Sequence, residues 1–218
     1  VTRSAGPVGW RVPTAVVLAV LFVAVLLCTR AGAGPAILDR PLLSFLAERR
    51  TGPLTVLMTA ITTLGSVYCL VPLAVLGALA RSRLARSWWP AVVVLLAVGG
   101  TAVLTFAVKV VDGRARPPAG VVAVVGEDFS FPSGHTSNTT ATIGVLTFLV
   151  YGLVRPGRPR VLLVTGAVLV MAAVGLSRLY LGVHWFTDVL GGYLLAGAWL
   201  LLVTELADRL SPGRPPSP

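Results

Sequence analysis

The 218-residue chain is 56% hydrophobic and only 12% charged, with a formal net charge of +10 and a mean hydropathy of +0.87. Soluble domains carry about 25% charged residues, so an ordinary soluble fold is excluded and the composition reads as an integral membrane protein. The basic excess does not indicate nucleic acid, because the arginines are scattered among short loops and do not line one face; cytoplasmic loops beside anionic lipid account for it.

Residues 1–11 are a short basic lead, and residues 12–29 are apolar throughout, long enough for a first span. Ala31-Gly32-Ala33 resembles a signal-peptidase site, but the apolar run exceeds a signal h-region of about 7–15 residues, so a retained helix is expected. Residues 35–53 are mixed, with Leu42, Phe45 and Leu46 at helical spacing among charges, and predict a short helix in the membrane interface. Residues 54–80 form the expected second span, with a kink at Pro72. The third runs from Trp88 and Trp89 to about Val111, the fourth over 133–154, the fifth over 161–179 and the sixth over 184–206. Residues 209–218 are Pro-rich and expected to be disordered. Cys28 and Cys69 lie in apolar runs whose spacing suggests neither a disulfide nor a metal site. The expectation is a single all-α domain over 1–218, a polytopic membrane protein of six transmembrane helices with its core at 12–208.

Six spans put both termini on one side. The termini and the two acid-free loops around 81–86 and 155–160 hold ten arginines; the opposite side holds seven arginines and Lys109 but most of the acids. Positive-inside counting therefore places the termini in the cytoplasm and the other ends of the helices outside.

Three polar strings interrupt this apolar chain, and they hold both of its histidines and its only lysine. They are Lys109-x6-Arg116-Pro117, Phe131-Pro132-Ser133-Gly134-His135, and Ser177-Arg178-x5-His184-x3-Asp188, all expected on the outer side. Ser133 is a good N-cap and Gly134 lets a ligand approach backbone N–H groups at a helix start, where anions bind readily. Lys109 supplies a point charge, and Arg116 and Arg178 planar forks that match phosphate oxygens. His184 and Asp188, four apart, are expected to be neighbours on one helical face. The carboxylate would then hold one ring nitrogen and leave the other to attack phosphorus, with His135 as proton donor. Asp112, Arg114, Glu127 and Asp128 read as solvated loop charges.

The three strings resemble the three-part signature of the type 2 phosphatidic acid phosphatase superfamily, complete and in order. That resemblance implies a helical core, no metal or cofactor and a phosphohistidine intermediate. It makes His184 the nucleophile, Asp188 its orienting partner and His135 the general acid, with Lys109, Arg116, Ser133, Gly134 and Arg178 holding the phosphate. The expected substrate is a lipid phosphate or diphosphate, such as phosphatidic acid, phosphatidylglycerol phosphate or undecaprenyl diphosphate, at the outer face of a bacterial cell membrane. The alternative is a membrane transporter or scaffold that keeps the phosphate-binding motifs without turnover. Neither the lipid preferred nor the oligomeric state is legible.

Overall fold

The computed structural model describes residues 9–118 and 129–211. Most of the basic lead, the end of the tail, Glu127 and Asp128 lie outside the described residues. Eight α-helices follow one another: α1 (Arg11–Ala31), α2 (Asp39–Glu48), α3 (Gly52–Leu64), α4 (Val67–Ala85), α5 (Trp89–Asp112), α6 (Gly134–Tyr151), α7 (Arg158–Tyr180) and α8 (Phe186–Arg209). A 3-10 turn, Gly34–Leu38, joins α1 to α2, and no strand occurs among the described residues.

Among the described residues five helices, α1, α4, α5, α7 and α8, are long and apolar enough to cross a membrane. Helix α6 is the sixth rod of the bundle, about 27 Å long at 1.5 Å per residue, but its first half is too polar to join them. Packing explains the difference: α6 lies against α4, α5, α7 and α8, and Thr136, Ser137, Thr139 and Thr142 are buried. The lipid-facing character is carried by the outer rods, as at Leu95, Val103 and Phe106, which are exposed.

Rod directions follow from contacts at their ends. Arg11 bonds the Asp208 carboxylate at 2.6 Å and the Thr204 carbonyl at 3.1 Å, so the start of α1 meets the end of α8. At that same end, Arg81 near the end of α4 bonds the Leu149 carbonyl near the end of α6. The opposite, or site, end gathers the last turns of α5 and α7 and the first turns of α6 and α8. Both ends of the described chain therefore lie away from the site.

Two expectations need correction. Residues 54–80 are not one helix kinked at Pro72: the break falls at Gly65 and Ser66, and Pro72 sits inside α4 without ending it. A Cβ on Gly65 would lie 2.5 Å from Val174 Cγ1, 3.0 Å from Thr139 Oγ1 and 3.4 Å from His135 Cδ2. The backbone passes so close to α6 and α7 that only glycine fits. Helix α3, about 20 Å long, thus packs on α7 at the site end, where Thr51 and Thr55 meet the Tyr180 hydroxyl. In α2, moreover, the buried residues are Asp39 and Leu43, while Phe45 of the expected apolar stripe is exposed. Asp39 and Leu43 are one turn apart, and the partners of Asp39 described below set which face turns inward.

Gly65→Ala should therefore overpack the junction and cost about 1–3 kcal/mol, whereas Pro72→Ala should cost nothing measurable. Thermal unfolding in detergent checks this; a larger loss at Pro72 would restore the kink to that residue.

Candidate active site

The three polar strings converge at the site end. Helix α5 stops at Gly113, whose positive φ of 64° lets its N–H close on the Lys109 carbonyl at 2.9 Å. This leaves Lys109 buried in the last turn, its Nζ donating to the Phe129 carbonyl. A side chain on Gly134 would lie 3.9 Å from Lys109 Cε, so the first and second strings are neighbours. Ser133 is the N-cap of α6 in extended backbone, and its N–H bonds the Asp188 carbonyl at 2.9 Å, tying the start of α6 to that of α8. Thr136 donates to Ser133 Oγ at 3.0 Å. Phe131, fully buried, stacks on Phe22 of α1 with centroids 5.6 Å apart and anchors this segment from behind.

His184 and Asp188 meet as expected, Nδ1 to Oδ2 at 3.2 Å, but not on one helical face. His184 precedes the N-cap Trp185, and α8 begins only at Phe186. The carboxylate turns back over the first turn, where it also accepts the Trp185 N–H at 2.8 Å. Both residues are almost wholly buried. Arg116 Nη1 lies 3.1 Å from His184 Nε2 and donates to the Val183 carbonyl at 2.6 Å. A guanidinium can only donate, so Nε2 accepts and the ring proton sits on Nδ1, facing Asp188. Burial pushes the imidazole from its ordinary 6.5 to about 4; Asp188 opposes that shift, and Arg116 and Arg178 add to it. The ring is therefore neutral at neutral pH, with its Nε2 lone pair directed at a cation.

Arg178, in the last turn of α7, is about nine-tenths buried and donates to Thr62 of α3 at 2.8 Å. His135, the second residue of α6, is partly buried beside the α3–α4 junction. Thr62 beside Arg178 and Gly65 beside His135 lie in a region that the sequence reading treated as the interior of a span.

Three groups missed by sequence reasoning, Arg114, Asp39 and Ser130, complete the site. Arg114 is no solvated charge: it reaches Asp188 Oδ1 at 2.6 Å, Asp39 Oδ2 at 2.6 Å and Thr187 Oγ1 at 2.8 Å. Asp39, at the start of α2, accepts the Thr187 N–H at 2.9 Å and its hydroxyl at 2.8 Å. Ser130 donates to Asp188 Oδ2. Asp112 also departs from the solvated reading, its carboxylate buried against Arg30 at 3.0 Å. The doubled arginine Arg114-Ala115-Arg116 was the one available signal; nothing local marks Asp39. Among the described residues, no three of His, Cys, Asp and Glu gather as a metal site.

This arrangement can bind an anion with several cations and backbone groups while offering it an unprotonated imidazole nitrogen. A family model described as the PAP2 superfamily matches residues 88–211, which contain all three strings. The chain is 36% identical over 156 residues to phosphatidylglycerophosphatase B of Bacillus subtilis, covering 70% of this chain and 75% of that protein. It is 40% identical over 129 residues to decaprenylphosphoryl-5-phosphoribose phosphatase of Mycolicibacterium smegmatis, covering 56% and 61%. To undecaprenyl-diphosphatase of Sulfolobus acidocaldarius it is 31% identical over 144 residues, covering 57% and 65%. The crystal structure of a transmembrane PAP2-type phosphatidylglycerolphosphate phosphatase from Bacillus subtilis superposes with a TM-score of 0.82 at 30% identity, covering 92% of this chain and 99% of that one. With the signature, the helical membrane fold and the relatives in agreement, the chain belongs to the PAP2 superfamily.

Proposed function

We propose that the chain is an integral-membrane lipid phosphatase, hydrolysing a lipid phosphomonoester or diphosphate through a phosphohistidine at the outer membrane face. The observation that carries this reading is the orientation of His184, with Nδ1–H turned to Asp188 and Nε2 turned to Arg116. The relatives' substrates, as their names give them, share a phosphate on a lipid. That shared group is what the site chemistry fits. Release of inorganic phosphate by purified protein, inhibited by vanadate, tests the reading. The assay would use micelles of phosphatidic acid, phosphatidylglycerol phosphate or undecaprenyl diphosphate.

In the proposed reaction Lys109, Arg116, Arg178, Ser133 and the N–H groups at Gly134 hold the phosphate oxygens. Arg116 exchanges its Nε2 contact for a phosphate oxygen, and Nε2 attacks phosphorus. The N–P bond forms as the P–O bond to the lipid breaks, and His135 gives its proton to the departing oxygen. Asp188 stabilises the positive ring, as the carboxylate partner of a catalytic histidine does. Water, losing its proton to His135, then attacks the phosphohistidine and releases phosphate. Charge neutralisation comes from protein cations throughout, and no step needs a metal.

His184→Ala should abolish turnover and any acid-labile phosphoenzyme. His135→Ala should lose about 10²–10⁴-fold on alkyl phosphates, and less on a p-nitrophenyl ester, whose phenolate departs without a proton. Rapid quench with labelled substrate should find phosphate on protein in the second variant and none in the first; the reverse would exchange the two roles.

The pH profile supplies a further test. Protonation of Nε2 removes the attacking lone pair, and burial holds the pKa of His184 at about 4. The limb of kcat/KM due to His184 in the free enzyme should therefore fall only below about pH 4. A limb attributable to this residue at the ordinary 6.5 would place His184 in water.

Orientation is tested with single cysteines at Ala85 and Glu48, both exposed and at opposite ends of the bundle, after replacing Cys28 and Cys69. A membrane-impermeant thiol reagent on intact cells should label position 48 and spare 85. Labelling of 85 alone would put the site in the cytoplasm.

A further inference from the structure

We propose that Arg114 and Asp39 form a positioning pair that sets the charge felt by the His184–Asp188 dyad, and with it the pH range in which His184 is unprotonated. Only the turnover arm of its test rests on the phosphatase reading.

The geometry separates Arg114 from the other cations. Its two terminal nitrogens each sit 2.6 Å from a different buried carboxylate, Asp188 and Asp39. The fork is thus occupied by protein anions, whereas Arg116 reaches the imidazole itself. The two oxygens of Asp188 have separate duties. Oδ2 faces His184, Ser130 and the Trp185 N–H, and Oδ1 faces Arg114. Asp39 cannot swing away, because the backbone N–H and hydroxyl of Thr187 hold both its oxygens. Chain topology makes this a three-part clamp, built from the start of α2, the segment after α5 and the first turn of α8.

The electrostatic consequence has an alternating sign. A full negative charge on Asp188 favours the protonated ring; Arg114 offsets part of that charge, and Asp39 offsets part of Arg114. Arg116 and Arg178 also act on the ring, and Lys109, His135, Asp112 with Arg30, and Arg50 are further ionisable groups described at this end. None of them is changed in the clamp variants below. Loss of the Arg114 charge should raise the His184 pKa, and loss of the Asp39 charge should lower it. A residue that merely braced the fold would reduce activity without moving the titration.

With only two histidines in the chain, histidine-selective ¹⁵N labelling of the full-length protein in detergent gives two rings to follow, and His135→Gln assigns them. Arg114→Gln should raise the His184 midpoint by about one pH unit, and Asp39→Asn should lower it below wild type. Arg114→Lys keeps the charge but cannot span both carboxylates, so its midpoint should stay near wild type while kcat falls. Midpoints unmoved in both charge-removing variants, or moved in the same direction, would overturn the proposal. If Arg114→Gln does not fold, Asp39→Asn decides: a lower midpoint supports the pair, and an unchanged or higher one refutes it. The acid limb of kcat/KM should follow each midpoint. Titrations that behave as stated in a protein that hydrolyses no lipid phosphate would remove the phosphatase reading and leave the pair standing.

Discussion

The site end of this protein depends on holding one carboxylate, that of Asp188, inside a membrane-embedded bundle. Removing such a group from water without partners costs several kcal/mol, and the Asp188 carboxylate is met by four donors. The Trp185 N–H comes from the start of its own helix, Ser130 from the segment before α6, Arg114 from the segment after α5, and His184 from the α7–α8 turn. Its position in the first turn of α8 adds the positive end of the helix dipole. Because the Asp188 carbonyl also takes the Ser133 N–H, the residue that orients the imidazole fixes the start of α6 as well. All three polar strings are therefore registered against one side chain and its backbone.

Helix α6 shows what that registration demands of the rest of the chain. Its first two turns carry Ser133, Gly134 and His135 and then a run of threonines, which lipid would not tolerate. The solution is enclosure by α4, α5, α7 and α8. Inside it, Ser137 and Thr140 return their hydroxyls to carbonyls four residues back at 2.8 Å. The strongly apolar sequences of the outer rods follow from the polar rod at the centre. For the same reason five of the described helices are apolar enough to face lipid along their length, while the central rod, enclosed by protein, is not.

What could be read from the sequence was whatever is local in the chain. The all-α membrane class, the boundaries of every rod but the second to within a few residues, the N-cap at Ser133 and the meeting of His184 with Asp188 all depend on neighbours within a turn or two. Even there the reading of one shared helical face failed, since Trp185 caps α8 after His184. What escaped was set by distant parts of the chain. Arg114 and Asp39 are 75 positions apart, and no periodicity marks their encounter. The break at Gly65 is invisible in an apolar run, because Val174 and Thr139 create it. Asp112 and Arg114 looked solvated because charge beside glycine and proline ordinarily is; here α1, α2 and α8 close over that segment.

The segment after α5 then has two roles for two arginines. Residues 114–116 lie outside any helix, and Ala115 between the two arginines offers its carbonyl to the Trp185 indole at 3.0 Å. Arg114 faces the carboxylates and Arg116 the imidazole, one on each flank of the dyad. In a site where burial is the largest influence driving the imidazole toward neutrality, the two cations are not redundant. Arg116 meets the imidazole nitrogen that bonds phosphorus in the proposed reaction, where its charge would pass to the phosphate. Arg114 meets the carboxylate that, in the same proposal, would stay negative as the ring becomes positive. In the proposed reaction, exchanging their functions would leave the phosphate short of a donor or Asp188 short of a counter-ion.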